Sequence, residues 1–426
     1  MYKFRIFNFK SVIQKNIFSL SFIQIANYLL PLITIPYVVR IIGPDNLGII
    51  NLAQALIGNL IIIVNFGFDF TATREISIHR NNKKVVNEIF NATLFAKLIL
   101  FFLTTIIFFV LINIDAYNKY SLVIFYTYIV VFANVLFPTW YFQGTEQLTK
   151  TAIVNFLSRF LTLVLTFVCI QNAEDYALYP LIISMGQFIF NSLSLVYVVK
   201  VSKIVLALPR ISQIIKAIKD GVSIFISTIV INFYQAGGVI ILGLFATNEA
   251  VGYFSAASKI IVLFQSIILY PLYQSLFPHL SKSFDIKIDE GLRVLRKMLF
   301  WVIGVTSAGS VVLFFGANLI ILIIYGEKFL PAVICLRVVS VLLIIIGIRD
   351  VLGVQGLINM KKDKIFMIIT GTGALFSILL YVYFSSNFQE LGTSIAWVIT
   401  ETIVMIGFIY SYYRLKLRLF KPDYKK

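Results

Sequence analysis

The chain has 426 residues, 59% of them hydrophobic and only 13% charged, with a mean hydropathy of +0.92. One soluble core cannot hide that much apolar surface, so composition excludes a water-soluble globular protein and predicts a polytopic membrane protein. A net charge of +17 raises nucleic acid as a partner, but Lys and Arg gather at alternate connections between apolar runs, which is a membrane-topology pattern and excludes that reading.

A crossing needs about 20 apolar residues. Twelve candidates centre near Asn27, Gly58, Phe102, Val131, Leu161 and Ile189, then Ile231, Val262, Val311, Leu343, Leu375 and Thr402. The opening MYKFRIFNFK has the basic start of a signal peptide. The apolar run behind it is too long and lacks a small-residue cleavage site, so Ile17 to Val39 is read as the first crossing. The turn Gly43-Pro44-Asp45-Asn46 then reverses the chain, and Leu47 to Phe68 runs back uncharged as far as Asp69. On this second arm Asn51, Gln54, Gly58 and Asn65 share a narrow arc at 3.6 residues per turn. Such a stripe faces protein or water, either as small-residue packing or as a wall of a solvated cavity.

Basic residues lie at the amino terminus (Lys3, Arg5, Lys10, Lys15) and then at every second connection: Arg74 to Lys84, Lys150, Lys200 to Lys219, Lys282 to Lys297, Lys361 to Lys364, and Arg414 onward. The other connections carry only Arg40, Lys119 and Lys328 and are short. Both termini are therefore expected in the cytoplasm. The connection around 200 to 220 divides the chain into two six-helix halves, 1–205 and 206–426. GPDNLGIINLAQAL can be laid on TNEAVGYFSAASKI, pairing Gly48 with Gly252 and Ala53 with Ala257, and Gln143-Gly144 on Gln355-Gly356. Two matches at nearly one offset favour a repeat. Six crossings per half give copies related by an axis along the membrane normal, with a central cavity between them.

Basic residues inside predicted helices are Lys97, Arg159, Lys259, Arg337 and Arg349, against the acids Asp350 and Glu401. Each costs roughly 2.5 to 3.5 kcal/mol at a helix centre on insertion scales, so their excess predicts a cavity suited to anions. Lys97 lies near a cytoplasmic helix end and is expected to snorkel. Arg159 shares a face with Asn155, Thr162 and Thr166; Lys259 shares one with Ser255, at the level of Asn51 and Gln54. Arg349 and Asp350 point about 100° apart, which makes them poor partners for one another and leaves a bridge from Arg349 to another helix. Glu401, in the last crossing, is either a proton site or half of an ion pair. Asn232 and Gln235 on the seventh crossing, like Gln24 and Asn27 on the first, add amides for a polar substrate.

No enzyme signature is present: no paired-histidine motif, no phosphate-binding glycine loop, and no nucleophile with a recognisable base. Neither a cofactor nor a metal is expected. Cys169 and Cys335 both sit inside predicted helices, where small apolar packing is their role.

The segments PLITIPYVVRIIGPDNLGIINLAQALIG, NFGFDFTATREIS and PTWYFQGTEQLTKTAIVNFLSR, and more faintly VLGVQGLINMKKDKIF, resemble bacterial polysaccharide flippases of the Wzx type, within the multidrug/oligosaccharidyl-lipid/polysaccharide exporter superfamily. The resemblance implies an all-α fold of about twelve transmembrane helices in two six-helix bundles. It implies movement of an undecaprenyl-diphosphate-linked oligosaccharide, such as an O-antigen repeat unit, across the inner membrane by alternating access. Arg159, Lys259, Arg337, Arg349, Asn51, Gln54, Asn155, Asn232 and Gln235 would meet phosphates and sugars. Glu401 and Asp350 would serve coupling to H+ or Na+, and Arg40, Asp69, Arg74 and Glu75 would serve as gate or topology residues. Membrane lipids, a polysaccharide polymerase and a chain-length regulator are the implied partners. Rival readings are a multidrug or peptidoglycan-precursor exporter of the same superfamily, or an integral membrane polymerase or ligase; the short outside connections argue against the last.

Overall fold

The computed structural model describes residues 9–417, apart from the side chains of 9–29, 32, 116, 230, 231, 233–235, 274 and 278. It is all α. The helices are α1 Phe9–Asn65, α2 Phe68–His79, α3 Lys83–Ile112, the single turn α4 Asp115–Asn118, α5 Ser121–Val135, α6 Thr139–Gly144, α7 Leu148–Cys169 and α8 Leu178–Lys200. They continue with α9 Ile211–Phe245, α10 Asn248–Phe264, α11 Tyr270–Ile286, α12 Ile288–Ile324, α13 Ala332–Ser340, α14 Leu342–Asp350 and α15 Asp363–Arg414. Among the described residues, nine helical stretches are long and apolar enough to cross a membrane. The protein is a multi-pass membrane protein.

Two helices are too long to be single rods. At 1.5 Å per residue the 57 residues of α1 would reach about 85 Å, against a hydrocarbon layer of about 30 Å. α1 is two helices meeting at Gly43, whose φ of 76° and ψ of 177° no other residue type adopts readily. This is the site of the GPDN turn. α15 breaks likewise at Gln389, φ 48° and ψ −130°. Elsewhere sequence marks the ends. Asn82 caps α3 by accepting from Val85 N at 3.3 Å, and Thr247 caps α10 by accepting from Ala250 N at 3.2 Å. Pro138 stands at the break between α5 and α6. The polar stretches 69–90 and 280–297 are mostly helical: only Arg80–Asn82 separates α2 from α3, and only Lys287 separates α11 from α12.

Polarity is inverted relative to a soluble core. Phe102, Ile106, Trp301, Phe315, Leu375 and Leu379 are all well exposed, while Thr104, Ser184, Thr306, Ser385, Thr393 and Thr400 are fully buried. Hydrocarbon solvates the first set, and the second is kept from it by bonds within the helices. Thr306 Oγ1 donates to Val302 O at 2.7 Å, Ser184 Oγ to Pro180 O at 2.7 Å, and Thr400 Oγ1 to Ala396 O at 2.8 Å.

The chain divides into two compact units: unit 1 is Met1–Ile42 with Leu56–Ile229, and unit 2 is Gly43–Ala55 with Val230–Lys426. In unit 1, α8 packs against α5 and α7, and α2 against α6. The start of α9 belongs here too: Ile214, Ala217 and Ile218 pack on Phe68, Ala96 and Leu100, and Phe225 stacks on Phe66 with centroids 4.4 Å apart. The extended stretch 201–210 is tied to α3 by Asn91, whose Nδ2 donates to Val205 O at 2.9 Å and whose Oδ1 accepts from Ala207 N at 3.1 Å. In unit 2 the core forms where α11, α12, α14 and α15 meet, around Leu280, Leu295, Val302, Leu352 and Phe408. The short α1 stretch 43–55 lies against α10 at a closeness only glycine permits. A Cβ on Gly48 would fall on the carbonyl oxygen of Asn248, and one on Gly252 on that of Pro44.

Candidate functional site

That glycine contact brings α1 against the polar face of α10. Lys259 Nζ donates to Asn51 Oδ1 at 2.6 Å. The opposed faces expected from sequence therefore do meet. Asn51 and Ser255 are buried, and the Asn51 amide nitrogen and Ser255 hydroxyl have no hydrogen-bond partner among the described residues. Ser255 and Lys259 stand one turn apart on α10. No carboxylate pairs with Lys259 among the described residues. The result is one ammonium, one amide and one hydroxyl in a sheltered spot of positive sign, able to meet an oxyanion with N–H and O–H donors.

A second cluster lies deeper in unit 2. Arg349 donates from Nε and Nη2 to Asp350 Oδ1 at 3.0 and 2.7 Å, and from Nη1 to Glu401 Oε2 at 2.6 Å. Trp397 Nε1 donates to Glu401 Oε1 at 3.3 Å. Glu401 is only 2% exposed, a burial that needs both donors. The expectation that neighbours Arg349 and Asp350 are poor partners is corrected here. Cβ directions differ by 100°, but the guanidinium sits at the end of a flexible stem that swings across that arc. The bridge to another helix does form, and Glu401 is held in an ion pair. Beside this cluster lies a cavity of about 540 Å³ lined by Tyr270, Tyr273, Phe277, Arg349, Asp350, Val354 and Gln355. The Tyr273 hydroxyl and the Gln355 amide oxygen are buried with no hydrogen-bond partner among the described residues. Each such group costs about 1–3 kcal/mol while unpaired.

π-Helices shape both walls. Tyr270 N–H bonds to Gln265 O, the i→i−5 pattern, across Gln265–Leu269. Pro271 follows at once and has no N–H for the next α-helical bond, which accounts for the wider turn. Val351–Ile358, which carries Val354 and Gln355, is the other.

Unit 1 holds a buried lysine. Lys97 is 2% exposed, about 21 Å along α3 from Lys83, and does not snorkel. Its Nζ donates to Asn134 O at 2.8 Å and sits 4.7 Å from the centroid of the Trp140 ring. A carbonyl and a π face at the level of its own turn satisfy the ammonium there, so it has no need to reach outward.

Residues 13–284 match the family described as polysaccharide biosynthesis protein. The chain belongs to this family. It is 32% identical over 399 residues to a protein of Escherichia coli (strain K12) provisionally named an O-antigen transporter, covering 93% of this chain and 95% of that one. A protein of Shigella dysenteriae with the same provisional name is 28% identical over 400 residues, covering 92% and 98%. Among solved structures, a MATE family transporter of the MOP superfamily in an inward-facing conformation aligns with a TM-score of 0.73 at 15% identity, covering 92% of this chain and 94% of that one. The lipid II flippase MurJ in an inward closed conformation aligns at 0.71 and 15%, covering 92% and 87%. At such identity these two carry the fold alone. The resemblance to Wzx-type flippases is borne out by the polysaccharide biosynthesis family and its transporter relatives, and the matched proteins are transporters rather than enzymes.

In this member of the family, not every charge expected at the site is gathered. Arg159 and Asn155 are exposed on α7, and Arg337 is exposed on the last turn of α13. Gln54 and Asn232 are half-buried, and the side chains of Gln235, Gln24 and Asn27 lie outside the described residues. Arg40 is exposed near the break in α1; Arg74 and Glu75 form a surface pair at 3.7 Å on α2, and Asp69 stands on the same helix. The sequence reading missed Trp397, Trp140 and the aromatic wall. For the wall a signal existed, because Tyr270, Tyr273 and Phe277 recur at i, i+3 and i+7.

Proposed function

We propose that the protein is a flippase for undecaprenyl-diphosphate-linked oligosaccharide repeat units, O antigen or a related surface glycan, moving them from the cytoplasmic to the periplasmic leaflet of the inner membrane. The observation that carries this is the Lys259–Asn51–Ser255 cluster: a half-buried lysine whose ammonium pairs with no carboxylate among the described residues, beside an amide and a hydroxyl with donors to spare. A diphosphate supplies the oxygens such a cluster lacks. A cationic drug would not. The names of the curated relatives agree with this reading.

Transport then proceeds by alternating access between halves 1–205 and 206–426, each of six crossings. Counting the breaks at Gly43 and Gln389 as connections, and α9 as a crossing beside the nine stretches, gives twelve. The glycine contact inside unit 2 supports the internal repeat. Gly48 meets Asn248 and Gly252 meets Pro44, and each pair maps onto the other when 204 is added to the α1 numbers, as in a self-complementary contact about a twofold axis. Both termini are cytoplasmic by the distribution of Lys and Arg. Coupling to H+ or Na+ falls to Glu401 and Asp350, and Arg159, Arg337, Asn155, Asn232 and Gln235 line the path of the head group. A polymerase and a chain-length regulator take the product onward.

In a strain lacking its own flippase, the chain is expected to restore periplasmic accessibility of a lipid-linked repeat unit. Lys259→Ala and Arg159→Ala should each insert normally yet lower that signal at least ten-fold. Full activity in both variants discards the anion role. A glycan already outside before the chain is supplied discards the flippase.

A further inference from the structure

We infer that the cavity bounded by Tyr270, Tyr273, Phe277, Arg349, Asp350 and Gln355 is a subsite for one uncharged pyranose ring of the transported glycan. This inference rests on the proposed transport of a lipid-linked oligosaccharide and adds where its sugar is read.

Each alternative occupant meets an obstacle in the lining. An anion is disfavoured because Asp350 and Glu401 outnumber Arg349. A cation finds both carboxylates already engaged: Asp350 accepts two N–H bonds from Arg349, and Glu401 accepts one from Arg349 and one from Trp397. A prenyl chain would leave the Tyr273 hydroxyl and the Gln355 amide oxygen as unpartnered as before. What remains is a neutral molecule with hydroxyls on its rim and an apolar C–H face. Tyr270, Tyr273 and Phe277 present three rings on one side of α11, and their electron-rich faces suit C–H groups. Tyr270 is 43% exposed and gives such a ring a platform to land on. A volume of about 540 Å³ is within the range of small-molecule sites, which pair apolar walls with few convergent polar groups.

The backbone supports the same assignment independently. A π-helix ends at Leu269, directly before Tyr270, and another carries Val354 and Gln355. Such turns are rare and recur at functional sites. Here one re-aims each wall of the same cavity.

The test uses the purified full-length chain in nanodiscs and two probes. One is bare undecaprenyl diphosphate; the other is the glycan-bearing lipid that accumulates in the producing cell when this chain is deleted. Wild type should bind the glycan-bearing lipid at least ten-fold more tightly. Tyr270→Ala and Gln355→Leu should cut that preference to two-fold or less while leaving affinity for the bare lipid unchanged, and Tyr270→Phe should keep it. Thermal stability without lipid should be unchanged or higher in Gln355→Leu, which a structural role for the amide would not allow. A wild-type preference that survives both variants, or no preference at all, overturns the subsite. Failure of the deletion strain to accumulate any lipid-linked glycan strikes instead at the transport reading.

Discussion

Lys97 and Lys259 both lie in apolar helices, the first buried and the second half-buried, and their surroundings differ in kind. Around Lys97 the protein supplies a backbone carbonyl and an indole face, although the Trp140 N–H itself has no partner among the described residues. Around Lys259 it supplies one amide oxygen and leaves an amide nitrogen and a hydroxyl unpaired. A charge inside a membrane helix does not by itself mark a functional site. What separates the two is what the ammonium itself meets: a carbonyl and a π face at Lys97, a single amide oxygen at Lys259.

The comparison is most severely strained at a third cation, Arg349. Replacing it with Ala leaves Asp350 and Glu401 without their shared partner, and breaking a buried pair in this way costs about 3–5 kcal/mol. Thermal or chemical unfolding in detergent should register that loss, and Glu401→Gln, which leaves the Arg349–Asp350 pair intact, should lose distinctly less. Equal losses would mean that the three charges do not act as a unit. At the lysines the expected outcomes part at transport. Lys97→Met removes the ammonium's bond to the Asn134 carbonyl, to which Phe137 N still donates at 3.4 Å, should cost about 1–3 kcal/mol, and should spare glycan translocation. Lys259→Met removes the bond to the buried Asn51 Oδ1 and should cost a similar amount, but should lose translocation. If Lys97→Met loses translocation at full stability, the distinction between the two sites collapses. The smallest effect is expected at Asn82→Ala, which removes the cap of the helix carrying Lys97 and should cost about 1 kcal/mol with no change in transport.

Much of the architecture was legible because lipid imposes strict rules on sequence. Uncharged runs, the GPDN turn and the alternation of Lys and Arg suffice for a multi-pass helical protein, and the break at Gly43 falls where the turn demands it. At the site, the meeting of Asn51 and Lys259 was legible through helical periodicity on two segments related by the repeat. The Arg349–Asp350 bond was not, because periodicity fixes where Cβ points and says nothing of where a long side chain ends. The burial of Lys97 was hidden for a related reason. Its cage comes from Asn134 and Trp140, on either side of a proline break whose geometry has no periodic signature. The cavity beside Arg349 depends on two π-turns, and of these only the one before Pro271 leaves a trace in the residues.

The stretch 43–55 finishes its packing with residues made far later. Asn51 waits for Lys259, 208 positions downstream. At synthesis rates of about 5–20 residues per second, this part of the second arm stays without its final neighbours for roughly 10–40 s while the ribosome is still at work. The start of α9 in turn belongs with helices already inserted. Neither unit is therefore a product of one uninterrupted piece of chain, and a fragment released between them would leave glycine-lined backbone at Gly48 facing lipid instead of α10. Selection on this stretch includes tolerating that interval, and its lack of charge from Leu47 to Phe68 lets it wait inside the bilayer.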